Sequence, residues 1–192
     1  MRRILIFLLV IATMLESCKE KERQIISKDK SDPAIKNNGS IKSEMPSDLI
    51  KSELIGKIAP DFKLKTVSGI EFQLSSVKDK FIVLDFWGSW CVPCIEDFPK
   101  MKEYYNKYRN EIEIVGIAYL DLKRNWKLSV KKHELEWVNV IHDKAKEQDL
   151  TITYGVDSFP TKFILNKKGE IIGKYGSTDD FYKKIDELMN QE

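Results

Sequence analysis

The chain has 192 residues, long enough for one domain of ordinary size with appendages, and 42% of them are hydrophobic, enough for a core. Its 32 basic and 30 acidic residues are dispersed along the sequence, leaving a formal charge of +2 and no basic stripe. That balance excludes a nucleic-acid groove, and no nucleic acid is expected as a partner.

Residues 1–17 read as a signal peptide. Arg2 and Arg3 precede an apolar stretch from Ile4 to Leu15, too short for the roughly 20 residues that cross a bilayer. The ending Leu15-Glu16-Ser17-Cys18 resembles a bacterial lipobox, with Glu16 as its departure. This implies cleavage before Cys18 and a lipid on that residue; the alternative is ordinary cleavage with Cys18 lost or left free. Either way the mature protein is expected outside the cytoplasm, on the periplasmic or cell-surface side, with the lipid on Cys18 as its membrane anchor. Residues 18–53 are polar, rich in Lys, Glu and Ser, and lack sustained apolar periodicity. Such a segment cannot bury enough apolar surface to offset its entropy and reads as a flexible tether.

The folded domain is expected over 54–192. Asp61 to Val67 and Ile70 to Leu74 alternate apolar and polar residues around Ser68-Gly69, a hairpin signature. Phe81 to Trp87 (FIVLDFW) is a nearly continuous apolar run, which predicts a strand buried on both faces. Cys94, Phe98, Met101, Tyr105 and Tyr108 recur at steps of four and three, the face of a helix whose first turn carries Pro93. A strand over Ile112 to Leu120, a helix from about Lys123 to Leu135 and a short strand from Trp137 to Ile141 follow. Thr161 to Leu165 and Glu170 to Tyr175 then form a hairpin around Asn166-Lys167-Lys168-Gly169, and Asp179 to Met189 closes with an amphipathic helix. The fold class is therefore α/β, a mixed central sheet flanked by helices, with an N-terminal β-hairpin and a central helix-containing insertion.

With Cys18 lipidated or removed, Cys91 and Cys94 are the remaining thiols. A disulfide closing so small a ring contributes only about 2 kcal/mol by loop entropy, against about 3 for a fifteen-residue loop, so a structural staple has little to offer. A metal site needs about four ligands, and the two histidines, His133 and His142, have the wrong spacing for a finger-type zinc site. No metal and no cofactor is expected. A redox pair fits the context better. A helix starting near Cys91 puts its sulfur among unpaired N–H groups that favour a thiolate, so Cys91 is the expected nucleophile, exposed at the helix start. Cys94, one turn further, is expected to be shielded and to act as the resolving thiol. Asp85 interrupts the apolar strand, where desolvation raises a carboxyl pKa toward neutrality, and is the candidate base for Cys94. The competing reading is a strand-end Asp that reaches solvent.

Asp85-Phe86-Trp87-Gly88-Ser89-Trp90-Cys91-Val92-Pro93-Cys94 resembles the active-site segment of thioredoxin-fold proteins. Pro99 matches the proline that kinks the family's active-site helix, and Phe159-Pro160-Thr161 is similar to its cis-proline loop. The closest resemblance is to the TlpA/ResA-type extracytoplasmic branch, through Ala59-Pro60-Asp61-Phe62, the segment from Ile112 to Asp149, and Cys94-Ile95-Glu96-Asp97-Phe98-Pro99. It implies that Trp90, Phe159, Pro160 and Thr161 meet the substrate, with Pro160 positioning its backbone. It implies also that Asp97, where many relatives carry Glu, helps tune the cysteines; a solvated helix face is the alternative for Glu96 and Asp97. Trp126, Trp137 and the Tyr104, Tyr105 and Tyr108 group read as packing, and His133 as a surface histidine.

The reading that results is an extracytoplasmic thiol-disulfide oxidoreductase, a monomer. The resemblance implies that it reduces disulfides in exported proteins, for example apocytochrome c, with a membrane thiol reductase as electron donor. Val92-Pro93 does not fix the direction, since potentials across this fold span about 150 mV. Two other classes stay open. A peroxidase is suggested by Ala59-Pro60-Asp61-Phe62, which also resembles the opening of peroxiredoxins, although Gly88 stands where those proteins carry a threonine. A non-enzymatic metal carrier or structural domain with an inert disulfide is the other.

Overall fold

The computed structural model describes residues 54–142, 149–176 and 178–191. The expected signal peptide and tether, with Cys18, lie outside the described residues. Within them run the strands β1 (Lys63–Thr66), β2 (Glu71–Gln73) and β3 (Phe81–Trp87), then helix α1 (Val92–Tyr108) and β4 (Ile112–Ala118). Helix α2 (Lys123–Lys132), β5 (Val138–Ile141), the short α3 (Leu150–Tyr154), β6 (Thr161–Leu165), β7 (Ile171–Tyr175) and α4 (Thr178–Met189) complete the order.

The strands form one mixed sheet ordered β2-β1-β5-β4-β3-β6-β7. β3 lies between parallel β4 and antiparallel β6, and all seven of its residues are buried. That explains its unbroken apolar run: a strand covered on both faces has no solvent side to alternate with. Successive side chains still point to opposite faces. Phe81, Val83 and Trp87 join Phe98 and Met101 of α1 and Phe181, Tyr182 and Ile185 of α4 in one core. Ile82, Leu84 and Phe86 join Phe62, Leu64, Leu150 and Tyr154 in a second core on the other face.

The two expected hairpins form, β1 with β2 and β6 with β7. In the second, Gly169 adopts φ 82°, a conformation that favours glycine, and Asn166 Oδ1 accepts the Lys168 and Glu170 N–H groups. Several elements are shorter than the periodicity suggests. β4 ends at Ala118 because Leu120 sits at φ 48°, outside the strand region. α2 ends at Lys132, with Glu134 at φ 51° closing the turn. Helix α3 was not expected, since five residues carry no visible period. Its signals are local: the Asp149 side chain accepts the Thr151 N–H, and Gly155 follows at φ 61°.

Candidate active site

β3 ends at Trp87, and Gly88, Ser89 and Trp90 carry the chain into α1, for which Cys91 is the N-cap. Pro93 occupies the first turn, where its missing N–H costs nothing. Cys91 and Cys94 form a disulfide, and Cys91 Sγ accepts the Cys94 N–H at 3.3 Å. That N–H and the positive end of a 17-residue helix would face a thiolate on Cys91 once the bond is reduced. Cys94 is buried, as expected. The exposed sulfur expected of Cys91 is not found: the residue is 3% accessible in the disulfide form. It belongs to the core cluster with Trp87 and Phe98, and Phe159 packs on the same cluster.

The residues on either side of Cys91, Trp90 and Val92, are apolar and exposed. Trp90 is half exposed, with its ring edge-on to Phe159 at 5.2 Å and its Nε1–H donating to the Tyr119 carbonyl. Val92, Leu120 and Leu122 are exposed. The approach loop is fixed from outside: the Ser89 N–H and hydroxyl donate to the two carboxylate oxygens of Asp121 at 2.6 and 2.8 Å. Phe159-Pro160 is a cis peptide, as the resemblance implies, and Phe159 stacks on Tyr119. Thr161 does not offer a side chain to a substrate. It is 2% exposed, and its hydroxyl donates to the Ser158 carbonyl, bracing the loop. A Cβ on Gly88 would lie 2.5 Å from Nε1 of half-exposed Trp90, so a side chain there would have to displace that indole. The chain carries no hydroxyl at the position where a peroxidase would need one.

Beneath α1, Asp85 is buried on the sheet face that carries Val83 and Trp87. Asp97 is buried as well, against the alternative of a solvated face, which holds for exposed Glu96 alone. Between the two carboxylates lies a residue the sequence reading missed, Lys162 of β6. Its Nζ is 2.9 Å from Asp97 Oδ2 and 3.4 Å from Asp85 Oδ1. The Tyr182 hydroxyl donates to the other Asp97 oxygen at 2.9 Å. Burial pushes the Asp85 carboxyl up from its ordinary range; the Lys162 ammonium opposes this and the Asp97 charge adds to it. Burial works against the Lys162 charge, yet the two carboxylates outweigh it and hold its pKa above the ordinary value. The signal in the sequence was a lysine inside TKFIL, an apolar run with the same interruption that drew attention to Asp85.

Trp126 and Trp137 are core residues, as read from the sequence. His133 is partly buried, its ring 5.5 Å from Phe98.

The model of the AhpC/TSA family matches residues 55–174. The thiol-disulfide oxidoreductase ResA of Bacillus thuringiensis is 37% identical over 119 residues, which is 62% of this chain and 67% of that protein. The thioredoxin-like protein YneN of Bacillus subtilis is 33% identical, over 60% of this chain and 68% of its own. Among solved structures, a thiol-disulfide oxidoreductase from Bacteroides fragilis is similar at TM-score 0.62 and 26% identity, covering 69% of this chain and 99% of that one. The thioredoxin domain of a Bacteroides vulgatus thiol-disulfide oxidoreductase shares the fold at TM-score 0.66 and 24% identity, covering 71% of this chain and 99% of the other.

Proposed function

Because this chain belongs to the AhpC/TSA family and is a thiol-disulfide oxidoreductase, we propose that it works outside the cytoplasm as a membrane-anchored reductase of exported proteins. The observation that carries the chemistry is the inequality of the two sulfurs. Cys91 caps α1 next to Trp90, in the cluster on which Phe159 packs, whereas Cys94 lies inside the helix that carries buried Asp97. The Cys91 thiolate attacks one sulfur of a substrate disulfide. The substrate bond breaks, a mixed disulfide forms, and the departing substrate thiolate takes a proton from water. Cys94 then gives its proton to Asp85 and attacks Cys91 Sγ. The Cys91–Cys94 bond forms, and the second substrate thiolate leaves with the electron pair and is protonated. Two electrons have passed to the substrate, and a membrane thiol reductase returns them.

Exposed Trp90 and Val92 on either side of Cys91 support an unfolded or flexible protein substrate, such as an apocytochrome c with an oxidised cysteine pair. The basic start, apolar stretch and Cys18 support secretion followed by lipid anchoring, with residues 18–53 as spacer. The test is a Cys94→Ala variant in the native host. Exported proteins should accumulate on Cys91 in adducts that a reductant dissolves, recovered with the membrane fraction. A Cys91 that alkylates readily yet captures no protein refutes the substrate class.

A further inference from the structure

Segments distant in sequence meet on Tyr119, the first residue after β4. Its N–H donates to the Trp87 carbonyl at 3.0 Å and its carbonyl accepts the Trp90 Nε1–H at 3.2 Å, so its backbone holds both ends of the loop that leads into Cys91. Its ring stacks on Phe159, with centroids 5.8 Å apart and planes 15° from parallel. Trp90 meets the same Phe159 edge-on at 5.2 Å. The Tyr119 hydroxyl donates to Asp149 Oδ2 at 3.0 Å, while Asp149 Oδ1 accepts the N–H and hydroxyl of Thr151 at the start of α3. Tyr119 is 5% exposed, Phe159 is partly buried and Trp90 is half exposed, which orders the three rings from the interior outward.

Resting on the exchange mechanism above, we propose that Tyr119 is a positioning residue for protein substrates, holding Phe159, and with it Pro160, in place beside Trp90 so that an extended peptide finds both walls of its site already formed. Phe159 and Pro160 belong to no helix or strand, so side-chain contacts have to place them. The Thr161 hydroxyl braces the loop from within, through the Ser158 carbonyl. On the side of the active site, Phe159 rests on Trp90 and Tyr119. Trp90 is half in solvent, which leaves the buried Tyr119 ring as the firmer support. The bond to Asp149 fixes that ring in turn, by tying its hydroxyl to the cap of α3. A loop that occupies its binding position for only part of the time lowers the apparent affinity by that fraction. A peptide that has to meet Phe159 and Pro160 therefore loses affinity when the support goes. A small disulfide needs only the Cys91 sulfur and does not.

The test mixes the reduced full chain with each of two disulfides in single-turnover experiments. One joins a peptide carrying a fluorophore to a peptide carrying a quencher, so that reduction restores emission; the other is bis(2-hydroxyethyl) disulfide, which has neither peptide backbone nor ring. Tyr119→Leu should raise the half-saturating peptide concentration about 2- to 12-fold, the worth of an aromatic pair. The limiting rate with the peptide, and the rate with the small disulfide, should change less than about twofold, since the exchange chemistry itself is untouched. Tyr119→Phe keeps the ring but cuts the tie to Asp149, and its half-saturation should fall between those of the parent and Tyr119→Leu. An unchanged half-saturation in Tyr119→Leu, or equal slowing with both disulfides, overturns the inference. Should Tyr119→Leu fail to fold, Tyr119→Phe decides alone: a rise confined to the peptide supports and none overturns. A parent protein that reduces neither disulfide would instead defeat the exchange mechanism itself, so the two failures are distinguishable.

Discussion

Gly116 is closely packed beneath the active site, and Gly116→Ala tests that packing. A methyl group there would lie 2.9 Å from Asn139 Oδ1, 3.1 Å from Trp87 Nε1 and 3.2 Å from Trp137 Nε1. None of these atoms ends a chain that can swing away. Trp87 is fully buried and edge-on to Phe98 at 5.1 Å, and Trp137 packs on Tyr105 and Phe98. Asn139 Nδ2 donates to the Leu135 and Trp137 carbonyls. The added carbon therefore has to displace two indoles and an anchored amide, and overpacking of this kind costs about 1 to 3 kcal/mol. For a domain of this size, about 4 °C of melting temperature goes with each kcal/mol, so the variant should melt about 4 to 12 °C lower. Thermal unfolding followed by tryptophan fluorescence reads both the midpoint and the native emission, which should change as the indoles move. A midpoint within about 1 °C of the parent, with unchanged emission, would show that the three groups yield freely and that the packing argument is wrong.

Asp85→Asn should change the pH dependence of stability. Burial raises the carboxyl pKa in the folded protein, so the Asp85 contribution is full below the unfolded value of about 3.9 and is lost as pH rises through the folded value. Denaturant midpoints taken from about pH 4 to about pH 8 should diverge in favour of Asn as pH rises, and a constant difference would refute the assignment. Asp121→Ala removes both acceptors of Ser89 and should cost about 1 to 3 kcal/mol while slowing alkylation or exchange at Cys91. Unchanged stability and rate would mean that this contact does not hold the loop.

The elements with strong period or strong burial were legible from residues alone. FIVLDFW announced β3 by its unbroken apolar run, and the step from Cys94 to Phe98 to Met101 announced the buried face of α1. Asp85 was visible because a charge inside such a run has few explanations. Lys162 escaped because Thr161-Lys162-Phe163 also reads as ordinary alternation, with the lysine on a solvent face. Only the pairing of β3 with β6, a contact distant in sequence, turns that face inward and sets an ammonium against Asp85. Asp97 was named through the resemblance, but its burial could not be read from local pattern. An acid near a helix start is usually solvated, and its burial depends on α4 bringing Tyr182 over it. The closed position of Cys91 and the helix α3 depend likewise on neighbours that no local pattern names.

The alternation of β3 has a further consequence, for how this protein can vary. The sheet is a partition: Asp85, Lys162 and the layer beneath α1 lie on one side, and Ile82, Leu84, Phe86, Phe163 and Leu165 lie on the other. Substitutions that conserve volume on the second side alter the thermal tolerance of the domain while leaving the charge environment of the cysteines as it was. Durability and chemistry are thus two nearly separate inheritances carried by alternate letters of the same seven-residue word.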